Sequence, residues 1–175
     1  MNTDTVAEIE QTDQGAPGWK RVIQLYKLSI VREEHSPLYG EPRMHDSKIL
    51  YQTLGKHFLG AAQEEFIALH LDAKHAPICY QVISVGSLTL SIVHPREAFK
   101  MACCVNAAAV VFAHNHPSGD PTPSQEDRVL TARLVQAGEI LGIRVLDHLV
   151  IGEGRYVSFA DRGWISNTTT TLEPV

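Results

Sequence analysis

Two histidines, two serines and three carboxylates crowd into the stretch AHNHPSGDPTPSQED, residues 113–127. His114 and His116 stand two apart, so an extended chain sends both rings to one side, and neutral imidazole is a common zinc ligand. Pro117, Gly119, Pro121 and Pro123 forbid regular structure beyond them. They leave a shaped loop that can bring Ser124 and Asp127 back toward the histidines, and a third ligand becomes geometrically possible. Three protein ligands plus a water make an open, catalytic site, whereas a structural zinc usually closes its fourth position with Cys or His. No cysteine lies near this stretch. The same residues also have a plainer reading. Ser124-x-x-Asp127 outlines a capping box, with Ser124 as N-cap and Asp127 at N3 of a following helix. Asp120 and Glu126 suit a turn and a first helical turn.

The elements around this stretch alternate in type. Residues 107–113 (AAAVVFA) read as a strand buried on both faces and aimed at His114. After the loop, Leu130, Leu134, Ala137 and Leu141 recur at helical spacing, with Gly142 placed to close the helix. Upstream, Val22–Arg32 (VIQLYKLSIVR) reads as an edge strand, and Asp46-Ser47 can cap a helix running to about Leu59, ended by Gly60. Glu65–Ala73 and Ile78–Val85 form a predicted hairpin across a turn at residues 74–77, followed by a third strand at Leu88–Val93. His94-Pro95-Arg96-Glu97 opens a helix to about Asn106. Arg144–Ile151 and Arg155–Phe159 complete the set as strands. The fold class is therefore α/β, a mixed α+β order.

Composition bounds the remainder. With 175 residues and 44% apolar content, the chain can hold one moderate core. We expect one domain over residues 18–166, a disordered leader at 1–17 and a disordered tail at 167–175. The formal net charge is -5 and the Lys and Arg residues are scattered, unlike the basic stripe of an autonomous nucleic-acid binder. Cys79, Cys103 and Cys104 are odd in number and sit in apolar sequence, which suits reduced thiols and a cytoplasmic setting. No export signal is visible, and no segment approaches the ~20 apolar residues of a membrane span, so no membrane partner is expected.

His-x-His, seven residues and Ser-x-x-Asp, here His114, His116, Ser124 and Asp127, resembles the JAB/MPN metalloprotease motif, also called JAMM. The surrounding HNHPSGDPTPS, with HPRE upstream and DHLVIG and YVSF downstream, is similar to the bacterial RadC family in particular. The resemblance covers about Glu64 to Phe159. It implies a cytidine-deaminase-like mixed sheet flanked by helices, and a Zn(2+) held by His114, His116 and Asp127 with water in the fourth position. It further implies oxyanion support from Ser124 and an upstream glutamate as general base. Glu64 matches that position and Glu65 is the register alternative. Strand parity puts Glu64 with Phe66, Ala68 and His70, and Glu65 with Ile67, Leu69 and Leu71, so a one-residue slip exchanges them.

The implied activity is zinc-dependent hydrolysis of an amide bond in a peptide or protein substrate that the sequence does not identify. The alternative is a factor associated with DNA repair or mobile elements, either a metal-dependent nuclease or a non-catalytic module with indirect DNA association. Full-length members of the family carry a helix-hairpin-helix region before the catalytic domain, and the residues before Glu64 show no such pattern, so a short form is expected. Among lesser candidates, His94 is either outer-sphere support for a ligand or a helix-start residue. Asp147-His148 either orients a ligand or makes a structural carboxylate–histidine contact. His35, His45, His57 and His75 have no partner legible from spacing.

Overall fold

The structure is a computed structural model, and it describes residues 43–86 and 93–165. The predicted strand at Val22–Arg32, all but Val93 of the predicted strand at Leu88–Val93, and the expected leader, tail and domain limits lie outside these residues. Among the described residues, no helix is long and apolar enough to cross a membrane.

The first element is helix α1 (Ser47–Leu54), capped by the Asp46 side chain, which accepts from the Ile49 N–H. It ends before the predicted Leu59. Gly55 takes the C-cap position, and the chain continues through tight turns, with His57 N–H donating to Leu54 C=O and Phe58 N–H to Gly55 C=O. Glycine is a poor helix former, and the turns still bury Phe58. Strands β1 (Glu65–Leu71) and β2 (Pro77–Val85) form the expected antiparallel hairpin. Its turn is held by Asp72 Oδ1, which accepts from Lys74 N and Ala76 N at 2.8 and 2.9 Å.

The predicted helix from Pro95 to Asn106 is divided at Phe99 into α2 (Pro95–Ala98) and α3 (Lys100–Cys104). Strand β3 (Ala109–Asn115) is buried at every position and reaches two residues beyond the predicted end, so His114 lies within it. Helix α4 (Gln125–Leu141) closes on Gly142 at φ 69° and leads to β4 (Arg144–Ile151), with β5 (Tyr156–Ser158) last.

The sheet order is β2-β1-β3-β4-β5. Among the described strands only β3 and β4 run parallel, and α4 is the crossover that parallel neighbours require. Alternation along β3 divides its side chains between two layers. Val110 and Phe112 pack with Phe99, Leu130 and Leu134 on the α4 face. Ala109, Val111 and Ala113 pack with Leu50, Leu54 and Phe58 on the α1 face. The mixed sheet flanked by helices agrees with the fold expected from the sequence.

Candidate metal centre

The site grows from the C-terminal end of β3. His114 continues the parity of Val110 and Phe112, so its ring lies on the α4 face. Its Nε2 stands 3.0 Å from His116 Nε2. The Pro- and Gly-containing loop then returns the chain to the start of α4, where Asp127 places Oδ1 3.4 Å from His114 Nε2 and Oδ2 3.7 Å from His116 Nε2. From β1, Phe66 pairs with His114, which brings Glu64 to the rim of the same cluster. Its Oε1 lies 4.0 Å from His114 Nε2 and 3.8 Å from His116 Nε2. Ligand atoms of Glu64, His114 and His116 all lie within 4.8 Å of one another, a group able to hold a metal ion.

Hydrogen bonding shows what the histidines offer. His116 Nδ1 donates to the Asp120 carbonyl at 2.7 Å, and a carbonyl can only accept, so the neutral ring keeps its lone pair on Nε2. His114 Nδ1 is engaged with His148 Nε2 at 2.8 Å, which leaves its Nε2 turned to the cluster. Two imidazole nitrogens 3.0 Å apart, backed by two carboxylates, need a proton or a cation between them. The donor set fits a divalent metal of the kind that imidazole and carboxylate bind together.

Burial alone would raise the Asp127 carboxyl, but hydrogen bonds and charge from His114 and His116, joined by the Ser124 hydroxyl, hold it well below the usual carboxylate range. The hydrogen bond with Asp127 raises His116 against the opposing effect of burial, with the Asp120 carbonyl and the charges of Asp127 and Glu64 adding to it. A field that favours a proton at His116 favours any cation there.

Ser124 makes the capping box that its spacing outlined. Its Oγ accepts from Asp127 N–H at 3.1 Å, while its own N–H and hydroxyl donate to Asp127 Oδ2 at 2.7 and 2.6 Å. The hydroxyl proton is thereby committed to the carboxylate.

The Glu64 and Glu65 side chains part company as strand parity requires. Glu65 turns to the α1 face, where its Oε2 meets His57 Nε2 at 2.8 Å, a pairing between the start of β1 and the turns after α1 that spacing in sequence did not reveal. Asn115, between the two histidines, fixes the β1 end. Its Nδ2 donates to Gln63 C=O at 3.0 Å and its Oδ1 accepts from Glu65 N–H at 2.8 Å, a clamp on both neighbours of Glu64. This role was also missed, because asparagine in a loop motif carries no long-range signal. A cleft of about 500 Å³ opens beside His116, lined among others by Tyr51, Lys56, Phe58 and Gly152.

The Asp147-His148 pair corrects one expectation: the acid and the imidazole ring make no contact with each other. Asp147 Oδ1 accepts from the backbone N–H of His148 and Ala160, and Oδ2 accepts from the Ser158 hydroxyl at 2.6 Å. Burial raises the Asp147 carboxyl, and these three bonds oppose that rise. His148 instead faces the site. Val110 pairs with Val145 but Val111 pairs with Asp147, so Leu146 is skipped and His148 falls opposite Phe112 on the α4 face. Burial keeps the His148 ring neutral by lowering its pKa well below the usual value. His94 takes the N-cap position of α2 without a side-chain cap bond, the helix-start placement.

A family model described as the RadC-like JAB domain matches residues 44–164. A UPF0758 protein of Methanosarcina acetivorans is 53% identical over 139 residues, covering 79% of this chain and 54% of its own length. One from Syntrophotalea carbinolica is 42% identical over 163 residues, covering 93% of this chain and 72% of that relative. One from Pelobacter propionicus reaches 58% identity over 101 residues, covering 58% of this chain and 44% of the relative. The chain thus spans about half the length of most of these relatives. With the match extending over most of its length and across the whole site, the chain belongs to the RadC-like JAB domain family.

Proposed function

We propose that the protein is a metal-dependent hydrolase, and in finer terms a zinc metallopeptidase or isopeptidase. The observation that carries this reading is the convergence of two imidazole Nε2 atoms 3.0 Å apart with the carboxylates of Asp127 and Glu64 around them. Zinc held by His114, His116 and Asp127 would polarise the scissile carbonyl and lower the pKa of a water toward ~7. The protein's groups do the rest. Glu64 holds the proton removed from the attacking water on its carboxylate and returns it to the leaving amine. The Ser124 hydroxyl, released from Asp127 Oδ2, donates to the oxygen that gains charge, and the N-terminus of α4 adds a favourable dipole there. Cys79, Cys103 and Cys104 form no disulfide among the described residues, which suits work in the reducing cytoplasm.

Phosphodiester cleavage commonly relies on two metals ~4 Å apart and on cationic contacts to the backbone. Among the described residues one ligand cluster occurs, and the formal net charge is -5. Both favour amide over phosphodiester chemistry. The test is incubation of the zinc-loaded protein with a diverse peptide library and with single- and double-stranded DNA, beside a Glu64→Gln control. Chelator-sensitive peptide products that vanish in the control support the reading. DNA products that vanish in His114→Ala, with no amide product from any substrate, would overturn it in favour of a DNA-processing role.

A further inference from the structure

We infer that Thr131 and His148 are positioning residues: a one-way chain of hydrogen bonds through them decides which nitrogen His114 offers to a metal. The inference rests on the metal-centre reading above. The chain starts at the backbone of Asp127, whose carbonyl lies 2.6 Å from Thr131 Oγ1. A carbonyl only accepts, so the single hydroxyl proton of Thr131 points there. Thr131 Oγ1 also lies 2.6 Å from His148 Nδ1, and with its proton already used it accepts. His148 Nδ1 therefore carries the ring proton, and its Nε2 is an acceptor. The next contact, 2.8 Å to His114 Nδ1, is then donated by His114, which leaves the His114 lone pair on Nε2, 3.0 Å from His116 Nε2. Reversing any one bond would leave the Thr131–Asp127 contact without a proton.

The surroundings hold the chain in place. His114 and His148 are fully buried and Thr131 is 2% exposed, so water cannot substitute for a missing partner. The His148 ring stacks on Phe159 at 4.9 Å between centroids and meets the edges or faces of Phe66 and Phe112 at 5.3 and 6.5 Å, which blocks its rotation. The chain also begins at Asp127 and ends at His114. Two ligands that arrive from different elements are thus oriented by one circuit, and partners of this kind typically contribute 10–100-fold to metal affinity.

The test reads protonation directly. Long-range proton–nitrogen NMR of the zinc-free protein should show His114 as a single tautomer protonated on Nδ1. Thr131→Val, close in shape but without the hydroxyl, should mix the tautomers and weaken zinc about 10–100-fold in titrations against a competing chelator. Thr131→Ser should restore both. If Thr131→Val does not fold, the wild-type tautomer together with Thr131→Ser decides the matter. His114 protonated on Nε2 in the wild type, or a Thr131→Val protein with wild-type tautomer and zinc affinity, would overturn the inference. Wild-type protein that shows the stated tautomer but binds no zinc would sink the metal reading and leave the hydrogen-bond chain standing.

Discussion

His148 and His70 lie on the same face of the same sheet, each fully buried, and they are provided for in opposite ways. His148 uses both ring nitrogens, one with Thr131 and one with His114. His70 pairs across the sheet with Val110, toward the start of β3, and neither of its nitrogens has a hydrogen-bond partner among the described residues. A buried polar group without a partner is destabilising, so it persists only where the fold tolerates the loss. The site end of the sheet is a satisfied polar network built into a core. The other end holds a stray imidazole, and stability and chemistry should respond separately to changes at the two ends.

The largest effect tests whether chemistry is confined to the site end. Glu64→Gln should retain zinc and lower hydrolysis by ~10²–10⁴-fold, while Glu65→Gln, on the α1 face, should change rates little. Exchanged effects would show that the two ends of the motif are read in the wrong register. Next, His116→Ala should weaken zinc by more than ~100-fold, since a direct ligand contributes more than its outer partners. Equal zinc content by metal analysis in the variant and the wild type would remove the site from the comparison altogether.

At the other end, burial pushes the His70 imidazole down to about 4. In the unfolded chain it titrates near ~6.5, so acid protonates the unfolded state first. The fold therefore keeps its full share of stability above ~6.5 and loses up to roughly 3 kcal/mol as pH falls toward 4. His70→Leu should flatten that slope in urea denaturation and raise stability at neutral pH by ~1–3 kcal/mol, leaving zinc affinity unchanged. An acid slope identical to wild type would mean that His70 is not the group responsible. The smallest effect on stability belongs to Ser124→Ala, which removes the helix cap at about 1 kcal/mol. A loss of hydrolysis well beyond that figure, with the fold intact, would separate its oxyanion role from its cap.

Much of this is legible in the sequence alone. Alternation placed Glu64 and Glu65 on opposite faces, and the loop prolines forced the return that brings Asp127 to the histidines. The Ser-x-x-Asp spacing contained both the cap and the carboxylate. What could not be read has a common cause. The bulge at Leu146 shifts β4 by one residue; extended without it from Val145, strand parity would have turned Asp147 toward Phe112 in place of His148. The pairing of Asn115 with Gln63 depends on which strands are neighbours, and that of His57 with Glu65 on how the turns after α1 fold back onto β1; local spacing encodes neither. The 95–106 helix divides at the buried Phe99, a matter of packing, whereas α1 ends early at Gly55, a poor helix former that is itself legible in the sequence.

The turn after β4 lies directly under the loop that carries His116. A Cβ built on Gly152 would sit 2.3 Å from the Gly119 carbonyl oxygen and 2.8 Å from Pro121 Cδ, and Gly119 itself holds φ +79°. Neither glycine contributes an atom to chemistry. In a saturation screen scored by activity, both positions should tolerate almost no replacement, and a geneticist mapping essential residues would draw the active site one layer too thick.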